Sequence, residues 1–107
     1  MLSIDEFRKI DLRVATITAA APHPNADRLL VLQVDLGAEQ RQLVAGIRAH
    51  YEPAALVGKQ IVVVANLEPA TLRGVQSQGM LLAASDAEGR LAIVEPERAV
   101  APGATVK

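Results

Sequence analysis

This sequence predicts an all-β chain closing into a small five-stranded barrel, with one short helix between the third and fourth strands. Half of its residues are hydrophobic, almost all of them Ala, Val, Leu and Ile, with Phe7 and Tyr51 the only aromatics; branched aliphatics favour pleated sheet. Apolar and polar residues alternate in several short runs, the period of a strand. Pro, Gly, Asn and Asp interrupt those runs too often for long helices.

The elements follow in order. Ser3 with Glu6 three residues on is a capping box, so residues 3–8 read as a helical turn. Ile10, Leu12 and Val14 alternate with Asp11, Arg13 and Ala15, after which the apolar phase slips by one to Ile17 and Ala19. A slip inside a strand marks a bulge or bend. Pro22 to Asp27 is a loop by composition. Leu30, Leu32, Val34 and Leu36 then alternate with Val31, Gln33 and Asp35, and Gly37-Ala38-Glu39 turns the chain into a returning arm over residues 41–46. From Ile47 to Leu56 the spacing becomes helical, with Gly58 as the stop and Pro53 keeping the helix short.

Residues 61–65 read as a strand buried on both faces. Glu68 to Gly79 is a second loop, residues 80–84 another strand, and Asp86-Ala87-Glu88-Gly89 a hairpin turn leading to a partner strand over 91–94. Pro96, Pro102 and Gly103 keep the tail extended. Leu12, Val14, Leu30, Leu32, Val34, Val62, Val64 and Leu82 are the expected core. The length of 107 residues fits one domain, with a barrel over about 1–84 and a C-terminal extension over 85–107.

Three strands, a helix, then further strands is the order of the OB fold, which binds oligonucleotides through its second and third strands and through the loops joining strands one to two and four to five. Two segments fall on those loops, His23-Pro24-Asn25-Ala26-Asp27-Arg28 and Arg73-Gly74-Val75-Gln76-Ser77-Gln78-Gly79-Met80, and they are expected to meet at one rim. Asn25 offers an amide and Arg28 a planar fork of donors suited to phosphate or a base edge. Arg73 adds charge, Ser77 and Gln78 neutral hydrogen-bonding groups, and Met80 a polarizable surface for a base. The same residue types also make plain turns, and His23 reads as an exposed loop residue rather than a ligand. Gly74 and Gly79 have the spacing of half a phosphate loop, but Met80 and Leu81 stand where Lys and Ser or Thr are required.

Composition removes several other classes of function. The absence of cysteine excludes disulfides, thiolate catalysis and cysteine-bound zinc. With two histidines, His23 and His50, a metal site would need a carboxylate cluster, and none is evident. Neither histidine has a carboxylate at a spacing that marks a relay to Ser3, Ser77 or Ser85. No catalytic activity, metal or cofactor is expected. Charges throughout the first 30 residues break any signal-peptide core, and no apolar run approaches membrane length. The expectation is a cytoplasmic protein with no membrane partner.

Eleven basic residues against 12 acidic ones count against a grip on nucleic acid by bulk charge alone. Distribution is more favourable. Arg41, Arg48, Lys59 and Arg73 outnumber Glu52 and Glu68 between 41 and 80, whereas 86–97 hold Asp86, Glu88, Glu95 and Glu97 against Arg90. With so few aromatics for base stacking, recognition by shape and backbone suits a structured RNA better than a random strand.

The residues also resemble a known family. Residues 7–14 (FRKIDLRV), 23–29 (HPNADRL), 34–37 (VDLG), 62–67 (VVVANL) and 72–80 (LRGVQSQGM) together are similar to the tRNA-binding domain at the C-terminus of bacterial methionyl-tRNA synthetases, which also occurs as stand-alone structure-specific tRNA-binding proteins. The resemblance implies an OB fold, a homodimer formed by the C-terminal extension, and recognition of tRNA shape rather than anticodon. It implies tRNA as partner, an aminoacyl-tRNA synthetase as a further one, and Asn25, Arg28, Ser77 and Met80 as the contacting set. Arg28 stands where the family usually has Lys, and Ala15 where relatives often place Gly. Leu91, Ile93 and Val94 are expected to cover a symmetric partner. A related branch resembles secretion chaperones that hold peptides in the equivalent groove, and Ser77-Gln78-Gly79-Met80 favours the tRNA branch.

Overall fold

Ser3 opens the first element: its hydroxyl accepts the Glu6 N–H while the Glu6 carboxylate accepts the Ser3 N–H. This is the predicted capping box, and it starts α1 (Ile4–Phe7) in the computed structural model, which describes residues 1–107. The strands β1 (Leu12–Pro22), β2 (Leu30–Asp35) and β3 (Gln40–Ala45) form an antiparallel meander. The β1–β2 register shifts between Ile17 and Ala19, so Thr18 bulges where the apolar phase predicted a slip. Ala15 is fully buried in the core three residues earlier.

The helix expected over 47–56 is shorter. His50 and Tyr51 donate to the Ile47 carbonyl in an isolated turn, and α2 (Pro53–Leu56) follows with Pro53 at its start. Proline is suited to that place, where its missing N–H has no partner to lose. Then come β4 (Gln60–Val64), β5 (Ala70–Leu72), β6 (Val75–Ser77), β7 (Met80–Leu81), β8 (Ala83–Ser85), β9 (Leu91–Ile93) and β10 (Thr105–Val106).

The main sheet runs β3-β2-β1-β4-β7, with β10 added beside β1 at Leu12 and Arg13, and it curls into a nearly closed five-stranded antiparallel barrel. The fold is the one predicted. The last seam, between β3 and the β6–β7 segment, is held largely by side chains. Ser77 Oγ accepts the Val44 N–H at 3.0 Å, Gln78 Oε1 accepts the Gln42 N–H at 3.0 Å, and the Arg41 guanidinium donates to the carbonyls of Ala65 and Gln78.

Two expectations are corrected. The central core consists of Ala15, Ile17, Leu30, Leu32, Val34, Leu36, Leu43, Ala45, Ile47, Leu56, Ile61 and Val63. Of the eight residues expected there, Leu30, Leu32 and Val34 lie in this cluster and Val14, Val62 and Val64 are buried beside it, whereas Leu12 and Leu82 are only half-buried. In strands buried on both faces the apolar pattern does not say which alternate set points inward. The second correction concerns the tail: Leu91 and Ile93 pack against their own barrel. The tail is then tied down through Val62 to Val94, Gln60 to Val100, and Val14 to Gly103 and Ala104.

That return path depends on two glycines. A Cβ on Gly103 would lie 2.3 Å from the Leu36 carbonyl oxygen and one on Gly37 2.6 Å from that of Pro102, and both residues have positive φ. The tail thus runs against the β2–β3 turn at a separation that admits no side chain.

Candidate nucleic-acid interface

The stretch Glu68–Gly79, expected as a loop, carries the β5–β6 hairpin. Its turn is Arg73-Gly74, with φ of 52° and 90°, the two successive positive values of a tight turn that matches strand twist. Arg73 is the one non-glycine residue with positive φ. Arg-Gly is a weaker hairpin signal than Asn-Gly or Asp-Gly, which is why composition read this segment as a loop.

The hairpin meets the β1–β2 loop through a residue that sequence reasoning placed in solvent. His23 is 3% exposed; its Nε2 lies 2.8 Å from the Leu72 carbonyl oxygen and its Nδ1 accepts the Asn25 N–H at 2.9 Å. The two segments therefore converge at one rim, as their places in the fold predicted. A histidine in a Pro-rich turn gives no periodic burial signal, so only the tertiary contact reveals its role.

The expected site residues separate into those facing solvent and those facing the protein. Asn25, Arg28 and Arg73 are exposed. Met80 pairs with Val64 on the outer side of β7 and is 50% exposed, while Leu81 beside it packs on the core. Ser77 is 5% exposed, and its hydroxyl also donates to the Gly79 carbonyl at 2.9 Å. Gln78 is engaged with Gln42 through both its N–H and its side chain. Ser77 and Gln78 thus root the hairpin on β3.

Arg48 belongs with the exposed group. Its N–H reaches the Arg28 carbonyl at 3.4 Å, so the start of the β3–α2 connection lies beside the β1–β2 loop. Of the eight arginines, Arg8, Arg13, Arg41, Arg90 and Arg98 each have a carboxylate within 3.8 Å. Arg28, Arg48 and Arg73 have none, and each belongs to a segment at this rim. An unpaired guanidinium is free to form the charge-assisted, two-pronged bonds that phosphate accepts. The excess of basic residues between 41 and 80 was the signal for Arg48, but it did not distinguish Arg48 from Arg41, which is occupied internally.

Neither aromatic lies at the rim. The Tyr51 hydroxyl accepts the Ile93 N–H at 3.0 Å, and Phe7 lines an open groove of about 450 Å³ with Ile4, Ile10 and Val106. No group of three or more His, Asp or Glu side chains is placed to hold a metal ion, and no helix is long and apolar enough to cross a membrane.

An OB barrel with free guanidiniums gathered where its loops converge defines a class of nucleic-acid-binding module. Residues 12–105 match the model of the putative tRNA binding domain, and the chain belongs to that family. It is 56% identical over 106 residues to the methionine–tRNA ligase of Thermococcus kodakarensis, covering 99% of this chain and 14% of the relative. It is 52% identical over 107 residues to that of Deinococcus radiodurans, covering 100% of this chain and 16% of the relative. The chain thus spans about one-seventh of the length of these ligases. Among solved structures it resembles a MetRS-related protein from Pyrococcus horikoshii, with TM-score 0.94, 34% identity and coverage of 100% of this chain and 98% of the other. It also resembles the chaperone CsaA from Bacillus anthracis, with TM-score 0.90, 29% identity and coverage of 100% and 99%.

Proposed function

We propose that this domain binds tRNA by its folded shape, without catalysis of its own, as a stand-alone module or as a subunit assisting an aminoacyl-tRNA synthetase in the cytoplasm. The observation that carries this reading is the set of unpaired Arg28, Arg48 and Arg73 on converging segments of a tRNA-binding family fold. Asn25, Arg28, Arg48, Arg73 and Met80 make the contacts, while Ser77 and Gln78 act by holding the hairpin. All 107 residues work as a single unit.

The unit is a homodimer in this proposal, formed at the groove beside α1. The segment that follows this helix is anchored, with Asn66 donating to the Lys9 carbonyl at 2.6 Å and accepting the Asp11 N–H at 2.8 Å. The helix nevertheless buries nothing, leaving Leu2, Ile4, Phe7 and Ile10 exposed. A short helix with Ile4 and Phe7 exposed beside the end of the C-terminal extension suits a second copy meeting it across a two-fold axis. The role expected of residues 85–107 then narrows to their last strand, β10.

Titration of a labelled, folded tRNA transcript tests the RNA reading. Binding at micromolar concentration or tighter is expected, with a log–log salt slope of about 4–6 if two subunits share roughly six to eight phosphate contacts, and it is lost when Arg28 and Met80 are both replaced by Ala. Unaltered binding by that variant overturns the site, and a peptide-array signal stronger than any RNA signal overturns the function in favour of peptide binding. A monomeric mass in solution, or a dimer indifferent to Ile4→Glu with Phe7→Glu, overturns the dimer.

A further inference from the structure

His23 is the buried residue of the rim that direct RNA contact leaves unexplained. It is shielded from any ligand, and both ring nitrogens are engaged. Nδ1 faces an amide N–H and is bare; Nε2 faces a carbonyl and carries the hydrogen, so the ring is the neutral Nε2–H tautomer. Its bonds go in two directions, to Asn25 in its own loop and to Leu72, the residue before the hairpin tip.

No other hydrogen bond joins residues 22–29 to residues 68–79. The first segment is closed by the His23 N–H on the Leu29 carbonyl and touches Arg48 through Arg28. The second is rooted on β3 by Gln76, Ser77 and Gln78. Each is thus anchored at its base, and the imidazole is the hydrogen-bonded link between them. A ring bridge has few rotatable bonds, so it sets a distance rather than a range of distances. Two charged contacts held at a fixed separation bind a rigid target with less ordering cost than two that move independently.

Building on the RNA-binding reading, the geometry points to His23 as a positioning residue: a latch that fixes the separation of Arg28 and Arg73, so that both meet the backbone of one folded RNA at once. The ligand it serves is a structured RNA whose phosphates are themselves fixed in space. A flexible single strand adapts to either separation and gains little from the latch.

The two ring nitrogens can be replaced one at a time. In His23→Gln the side-chain amide nitrogen lies as many bonds from Cβ as Nε2, and keeps the donor to Leu72. In His23→Asn the amide oxygen lies as far out as Nδ1, and keeps the acceptor for Asn25 while losing the bridge. With a folded tRNA transcript and an unstructured oligoribonucleotide as probes, His23→Gln is expected to bind tRNA within about threefold of the parent. His23→Asn is expected to lose about tenfold on tRNA and less than threefold on the flexible strand, a split that a general loss of stability would not produce.

Arg73→Ala is expected to weaken tRNA binding about tenfold in the parent and at most threefold in the His23→Asn background. Equal losses in the two His23 variants, equal losses on the two probes, or an undiminished Arg73→Ala effect in the His23→Asn background each overturn the latch. If His23→Asn fails to melt cooperatively, His23→Gln decides alone, and a shallower tRNA salt slope in it overturns the proposal. Failure of Arg73→Ala in the parent overturns the RNA reading instead, which separates the two claims.

Discussion

The molecule carries two small hairpins of three-residue strands, β5–β6 and β8–β9, and they treat their arginines in opposite ways. In β8–β9 the turn accepts its own charge: Arg90 donates to the Asp86 carboxylate at 2.6 Å and lies 3.4 Å from that of Glu88. In β5–β6 the arginine stands at the tip in a left-handed conformation with no carboxylate near it. The root differs too. Ser77 anchors β5–β6 through a buried hydroxyl, whereas β8–β9 is closed by exposed groups around Asp86. What sets apart the proposed RNA-binding face is therefore the availability of charge rather than its amount, and a net charge of −1 conceals it.

The strongest way to break this contrast is to remove arginines from each side. Arg28→Ala with Arg73→Ala is expected to weaken tRNA binding by about 30-fold, close to 2 kcal/mol, and to lower the salt slope by roughly 1.4. Arg90→Ala with Arg98→Ala should leave both within error. Equal losses in the two pairs, read by fluorescence anisotropy at several salt concentrations, would show that net charge governs binding.

A second test addresses the roots. Ser77→Ala deprives the buried Val44 N–H of its acceptor and is expected to cost about 1–3 kcal/mol, lowering the calorimetric Tm by several degrees. Asp86→Asn, in the exposed turn, should scarcely move the melt. A Ser77→Ala protein as stable as the parent would mean that the seam is held by something other than this hydroxyl.

Smaller effects sharpen the picture. Arg73→Gly relieves a left-handed backbone conformation that costs a non-glycine residue of order 1 kcal/mol. The variant should melt at or above the parent temperature while binding tRNA as weakly as Arg73→Ala does. A lower melt would show the arginine side chain to be structural. Least of all is the acid response of β8–β9. The backbone N–H of Arg90 is the main cause that holds the Asp86 carboxyl below its usual 3.8; desolvation opposes it, and the Arg90 side chain and the Glu88 N–H add to the lowering. A depressed carboxylate contributes stability above its unfolded value and loses it as pH falls through the folded one. Turn resonances followed by NMR should therefore stay constant from neutral pH to about 4 and change only below; a transition near pH 6 would exclude Asp86 as the cause.

How far these regions were legible before folding follows from what each depends on. The Ser3–Glu6 box, the slip at Thr18 and the Asp86–Gly89 turn are local, and local spacing reports them. The order of strands and turns located both loops of the rim, and the family motifs fell on the same two segments. Leu12 and Leu82 were expected in the core and are only half-buried, because strands apolar on both sides carry no preference for which residues face fully inward. His23, Ser77 and Arg41 acquire their partners only across the fold, at Leu72, Val44 and Ala65, and their neighbours in sequence cannot announce that. The packing of Leu91 and Ile93 on their own barrel is the same kind of fact.

The barrel's final seam has a mechanical consequence. One backbone bond, from the Gln78 N–H to Gln42, and the side chains of Ser77 and Gln78 stand there where a continuous ladder of backbone bonds would otherwise run, so detaching the hairpin there breaks a few links rather than a long ladder. That makes this seam a natural line of first opening, with the rest of the barrel left standing. Since the rim proposed to bind RNA lies along the same line, an RNA bound there would act as a splint, and the domain's most breathable edge would be the one its ligand quietens.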